Sequence, residues 1–239
     1  MTAVWKLEAE ARLLRGDTPG VLTTGMLQMI ATMPGEAAPP RATFQRWLED
    51  LVRARKLRRV IKGVYLNTMG HRDISPAAAA QWVRSRSVIS LTWVLEQAGV
   101  TNNFGDTVTC VIPTDPGWPN PQISDRKTDA GTFRFFAMPA HLVDERAGAF
   151  DDIRDSRFDY PRTTGEKALL DWIYLGASNR SRLARPPFDL DLQALNKARL
   201  RRLARKMGIA DLLEDWQAQW KDFQAAPDVR ENSSSLLGF

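Results

Sequence analysis

A chain of 239 residues with 44% hydrophobic side chains is long enough for two ordinary domains and apolar enough to build cores, which excludes global disorder. A single cysteine, Cys110, excludes an internal disulfide and a Cys-rich zinc site, and the two histidines, His71 and His141, are too far apart to suggest a ligand pair. The net charge of +5 is unevenly placed: residues 1–70 hold 11 Lys and Arg against 6 Asp and Glu, whereas the rest of the chain holds 22 of each.

That asymmetry is expected when one domain meets a polyanion and the other does not. No apolar run approaches the roughly 18 residues of a membrane-spanning helix. The first residues are amphipathic and carry acids, unlike a signal peptide, so a cytoplasmic protein is expected.

In chain order, the first 70 residues read as three helices and a hairpin. The spacing of Val4, Leu7, Ala11 and Leu14 predicts a helix over 2–14 with those residues inward. A break at 16–20 is followed by a helix over 24–32 that uses Leu27, Ile30 and Ala31, then by a Pro- and Gly-rich turn at 34–40. Phe44, Trp47, Leu48, Leu51 and Val52 form the apolar stripe of a third helix over 41–57. Residues 58–66 switch to β-type side chains around Lys62-Gly63, the mark of a short hairpin.

This order predicts a winged helix-turn-helix at 1–70. With the stripe of the third helix inward, its other face presents Arg41, Thr43, Gln45, Arg46, Glu49, Arg53 and Lys56. Arg46 suits a bidentate pair with guanine and Gln45 one with adenine. From Arg53 to Lys62 there are six basic residues and no acid: Arg53, Arg55, Lys56, Arg58, Arg59 and Lys62. Phosphate contacts from such a run make affinity fall steeply with salt. The expected contacts to double-stranded DNA are therefore Arg41, Thr43, Gln45, Arg46, Arg53, Lys56, Arg58, Arg59 and Lys62. Trp5, Trp47 and Tyr65 read as core residues.

A second domain is expected over 73–228, mainly helical with a few strands, which makes the whole chain α+β. Ser75 and Pro76 suit the start of a helix over 76–86, and another over 90–98 is stopped by Gly99. Strands are predicted at 107–113, where Cys110 sits in a buried alternating run, and at 132–138. The intervening 114–131 reads as a surface loop or a partner-binding loop. Thr163-Thr164-Gly165-Glu166 resembles a capping box that opens a helix through Ala168, Leu169, Trp172, Ile173 and Leu175. A basic helix over 191–207 carries Lys197, Arg199, Arg201, Arg202, Arg205 and Lys206 opposite Leu200, Leu203, Ala204 and Met207. Such a helix is a solvated face, a docking surface for an acidic partner through Lys197, Arg201, Arg202 and Arg205, or an auxiliary DNA contact. A last helix over 211–225 aligns Leu212, Leu213, Trp216, Trp220 and Phe223, and 229–239 reads as a flexible tail.

Enzyme signatures are missing: no Gly-rich phosphate loop, no Gly-x-Ser-x-Gly and no His-Glu-x-x-His. Asp151, Asp152 and Asp155 form an acidic cluster that reads as a solvated turn or, in a nuclease, as Mg²⁺ ligands. A non-catalytic protein without cofactor or metal is expected.

Three stretches resemble the AbiEi-like antitoxins of bacterial type IV toxin–antitoxin systems: 57–66, ending in Gly63-Val64-Tyr65; 88–100; and 164–175, with Glu166-Lys167-Ala168-Leu169-Leu170-Asp171. Gly165 stands where that family has proline, and the 114–131 loop is long for it. The resemblance implies a repressor that binds inverted repeats in its own promoter and counters a nucleotidyltransferase-type toxin. It also implies that Glu166 and Lys167 are structural, one at a helix start and one at the surface. A free-standing winged-helix regulator and a DNA nuclease are the alternatives.

Overall fold

The computed structural model describes residues 4–102, 105–115, 123–143 and 154–225. Asp151, Asp152, part of the 114–131 loop and the expected tail at 229–239 lie outside the described residues. The fold is α+β. Its contacts divide the chain into two compact units, Met1–Ile89 with Gly105–Thr163, and Ser90–Phe104 with Thr164–Phe239. The second domain's expected start at Asp73 lies within the first unit.

The first unit opens with α1 (Val4–Leu13), β1 (Val21–Thr23), α2 (Thr24–Ala31), α3 (Arg41–Arg53), β2 (Leu57–Ile61) and β3 (Val64–Asn67). Helix α1 buries Ala9 and Leu13, with Trp5 partly covered, in one cluster with Leu27 and Ala31 of α2 and Phe44, Trp47, Leu48 and Leu51 of α3. The face expected inward is instead outward: Val4, Leu7 and Leu14 are 74%, 61% and 58% exposed. Two apolar stripes at helical spacing compete on this helix, and neighbours decide between them. Trp5 meets Trp47 edge-on with centroids 5.4 Å apart. Arg12 lies beside that face, and its Nη1 donates to the Ile30 and Thr32 carbonyls, at 3.1 Å each, where α2 leaves acceptors unpaired.

Strand β1, too short for periodicity to reveal, pairs with β3 in a three-stranded antiparallel sheet of order β1-β3-β2. The Thr23 hydroxyl accepts from the Met26 amide at 3.2 Å and caps α2. Helix α3 stops at Arg53, short of the expected Leu57, because Arg55 takes a left-handed conformation (φ 57°) usually left to glycine. The hairpin turns on Lys62-Gly63, with Gly63 at φ 83°. The Thr24 amide donates to the Gly63 carbonyl at 2.9 Å, tying that turn to the start of α2.

Asn67 is fully buried and joins three segments. Its Nδ2 donates to the Leu13 carbonyl at 2.9 Å, and its Oδ1 accepts from the Met69 and Gly70 amides at 3.2 and 3.3 Å. Gly70 lies so close to α1 that a Cβ there would stand 2.7 Å from the Leu13 carbonyl oxygen.

The rest of the first unit contains a 3₁₀ turn (Pro76–Ala79), capped by Ser75, followed by α4 (Ala80–Val83). These shorten the helix expected over 76–86. A four-stranded sheet of order β4-β5-β7-β6 follows, formed by β4 (Val88–Ile89), β5 (Thr107–Thr114), β6 (Arg126–Thr128) and β7 (Gly131–Pro139). The two expected strands are β5 and β7, which pair in parallel from Thr107↔Thr132 to Thr114↔Pro139. Part of the expected loop is β6, a polar edge strand without an apolar pattern to announce it. Cys110 is fully buried on β5, and burial pushes its thiol pKa up. Short α6 (Ala140–Val143) closes β7.

The second unit holds α5 (Thr92–Gln97), α7 (Gly165–Ala177), a 3₁₀ turn (Leu192–Ala194), α8 (Lys197–Lys206) and α9 (Ala210–Ala225). The irregular segment before the 3₁₀ turn is held by three indole N–H groups: Trp172, Trp216 and Trp220 donate to the carbonyls of Ala184, Pro186 and Leu190 at 2.8, 3.0 and 3.1 Å. Asn196 caps α8, whose buried residues are Leu200, Leu203 and Ala204, with Met207 at its end also buried.

Asn67→Ala is expected to destabilise the protein by about 2 kcal/mol, since it leaves the Leu13 carbonyl and two amides without their partner. Chemical denaturation against wild type measures this; an unchanged midpoint would show that water replaces the amide at no cost.

Candidate nucleic-acid interface

Helix α3 is strongly two-sided. Phe44, Trp47, Leu48 and Leu51 are buried, and Arg41, Thr43, Gln45, Arg46, Glu49 and Arg53 are exposed. The β2–β3 turn stands beside the outward face, and a cleft of 680 Å³ lies between them. Gln45, Glu49 and Arg53 line it from α3, and Arg59 and Lys62 from the hairpin. Three of the expected cations thus share one concave surface, with Gln45 beside them and one carboxylate, Glu49, among them.

The other expected contacts are placed differently. Arg41, Thr43 and Arg46 are exposed on α3 but do not line the cleft. Lys56 is half-buried and paired with Glu10 of α1. Arg53 also reaches back to Asp50 at 3.2 Å, an exposed pair of little energetic weight. Arg58 alternates with Arg59 along β2 and so takes the opposite face; it is half-buried, and its Nε has no hydrogen-bond partner among the described residues. Thr24 and Tyr65 also line the cleft. Thr24 arrives there through the Gly63 hydrogen bond, a tertiary contact that leaves no mark in the pattern of side chains. Tyr65 is 9% exposed and packs in the core cluster as expected.

The four residues expected to bind a partner, Lys197, Arg201, Arg202 and Arg205, are all exposed on α8 in the second unit. Arg199 turns toward Glu166, 3.8 Å away.

The start of α7 corrects two expectations. Its N-cap is Thr164, whose hydroxyl accepts from the Lys167 amide at 3.4 Å. Glu166 does not close a capping box; its Oε1 accepts from the Asn196 amide at 2.9 Å. A Cβ at Gly165 would lie 2.8 Å from the end of the Leu195 side chain, which would have to shift to admit it. Lys167, expected at the surface, is 0% exposed and donates to Asp171 one turn later, and the Ser90 hydroxyl donates to the other Asp171 oxygen at 2.7 Å. The i, i+4 spacing of lysine and aspartate on an apolar helix was the available signal. Ser90, Lys167 and Asp171 are all fully enclosed, so the ion pair and its hydroxyl partner lie wholly inside the second unit.

No group of three or more His, Cys, Asp and Glu among the described residues is placed to hold a metal ion. Asp155 is engaged by Arg157, at 2.8 and 2.7 Å, which holds its carboxyl below the usual carboxylate range. His71 Nε2 lies 2.7 Å from the Thr18 carbonyl, an acceptor to which the Nε2–H tautomer donates. No helix among the described residues is long and apolar enough to cross a membrane.

No protein-family model matches the chain, and no curated protein matches it. Among solved structures, the crystal structure of the RV2827C protein from Mycobacterium tuberculosis is similar at 16% identity, over 89% of this chain and 78% of that one, with a TM-score of 0.49. That likeness identifies neither a function nor a family.

Asp171→Ala is expected to cost about 3–5 kcal/mol by leaving the Lys167 ammonium buried without its carboxylate. The double change Lys167→Met with Asp171→Leu is expected to recover most of that loss. Thermal unfolding of both variants tests this; a double variant no more stable than the single one would show that the trio contributes more than charge neutralisation.

Proposed function

We propose that this protein is a DNA-binding autorepressor whose N-terminal segment is a winged helix-turn-helix, and that it acts as the antitoxin to a nucleotidyltransferase-type toxin. Supporting the DNA half is the cleft in which Arg53, Arg59 and Lys62 converge with Gln45 beside the outward face of α3. In this reading α3 enters the major groove, with Gln45 and Arg46 reaching base edges, while the β2–β3 turn follows the adjacent phosphates. The order α1-β1-α2-α3-β2-β3 supports it, as does the gathering of the molecule's excess positive charge in the first 70 residues. The toxin half rests on the resemblance of 57–66, 88–100 and 164–175 to AbiEi-like antitoxins.

Glu49 has a distinct part in this reading. A carboxylate among phosphate-binding cations repels DNA wherever it finds no donor, and the exposed amino group of cytosine is the donor it suits.

The test is a titration of the protein with the duplex upstream of its own gene, repeated over a range of salt. Arg46→Ala with Arg59→Ala is expected to weaken binding by about 1–3 kcal/mol per residue and to flatten the salt dependence. Glu49→Gln is expected to raise affinity for unrelated DNA and narrow the gap to the upstream duplex. Unchanged affinity in the double arginine variant would overturn the DNA half. For the toxin half, co-expression with a neighbouring nucleotidyltransferase should restore growth; a toxin that stays fully active would overturn it.

A further inference from the structure

On the second unit, the 3₁₀ turn, α8 and α9 enclose a small groove of 120 Å³. Its floor is apolar, formed chiefly by Leu192, Leu195 and Trp220, and its rim carries Lys197, Arg201 and Lys221. The Trp220 indole N–H is already committed to the Leu190 carbonyl at 3.1 Å, so the ring has no donor left for an occupant. All three rim cations are exposed, and none of their side chains has a hydrogen-bond or ion-pair partner among the described residues. Among the described residues, no acid lines the groove.

We infer that this groove is a docking site for an acidic segment of a partner protein, one that inserts a single aliphatic or aromatic side chain between carboxylates. The volume matches one leucine or phenylalanine side chain, the kind of buried anchor that dominates helix-in-groove and short-motif recognition. The unpaired rim then supplies electrostatic complementarity, which sets association rate and selects against basic partners. A nucleic-acid duplex would satisfy the cations but offers no apolar knob for the floor, and a lipid chain is far larger than the space. The inference rests on the partner-binding half of the proposed function and is independent of the DNA half.

Selection from a library of random displayed peptides tests it with an unbiased probe. The full chain serves as target, and Lys197→Glu with Arg201→Glu and Lys221→Glu, its fold checked by circular dichroism, as counter-target. Expected is enrichment, on the wild type alone, of peptides with Asp or Glu flanking Leu, Met or Phe. A fluorescent copy of an enriched peptide should lose about tenfold or more in affinity to Arg201→Glu and weaken with salt. Equal enrichment on both targets, or enrichment without acids, would overturn the inference. So would displacement of the peptide by random-sequence duplex DNA, which would make the surface a nucleic-acid contact. Enrichment seen only after deletion of residues 226–239 would also count against it, by making the chain itself the occupant. Failure of the DNA reading appears separately, as unchanged DNA affinity in the Arg46 and Arg59 variant.

Discussion

The burial of one face of α3 is the constraint on which the first unit turns. Phe44, Trp47, Leu48 and Leu51 all face a single cluster with α1, α2 and the sheet, and the Trp47 ring is met by both Trp5 and Phe44. Large aromatic side chains bury the most area per residue, so a rotation of α3 about its axis would expose the costliest part of the core. With that face held, Gln45, Arg46, Glu49 and Arg53 have no choice but to point outward. The chemistry of the exposed face is set by the packing of the hidden one.

Packing of α3 alone would not make a concave surface. The hairpin must stand beside it, and polar contacts hold it there. The Thr24 amide binds the Gly63 carbonyl at the turn, β1 pairs along β3, and buried Asn67 ties the end of β3 to the end of α1. Each of these pairs a backbone group across elements, and together they hold the turn that carries Lys62 beside α3. The register shift between Arg59 and Ile61 adds local twist to the same ribbon.

The second unit uses its charges in two ways. Lys167 and Asp171 are sealed in α7 with Ser90, and Glu166 receives the Asn196 amide at the start of α8; these groups organise the interior. The cations of α8 do the opposite work, since Leu200, Leu203 and Ala204 hold the helix down while Lys197 and Arg201 are presented outward. A buried charge needs its partner in a fixed place, which favours one arrangement of the helices. An exposed one is free to meet something else.

The sequence by itself determined the elements whose signal is local and repeated. The stripe of α3, the Lys62-Gly63 hairpin, the strands β5 and β7, the buried Cys110 and the amphipathic α8 all follow from spacing that one segment carries alone. It also determined where the excess charge lies. The tertiary structure decided what depends on neighbours: which of two apolar stripes α1 buries, the pairing of short β1 and polar β6, and the fate of Lys167, which its surroundings enclose with Asp171. It also sorted the run of cations, sending Arg59 and Lys62 into the cleft, Arg58 to the other face and Lys56 to Glu10. Periodicity reports which residues share a face of one element, but the direction of that face is settled by what the rest of the chain packs against it.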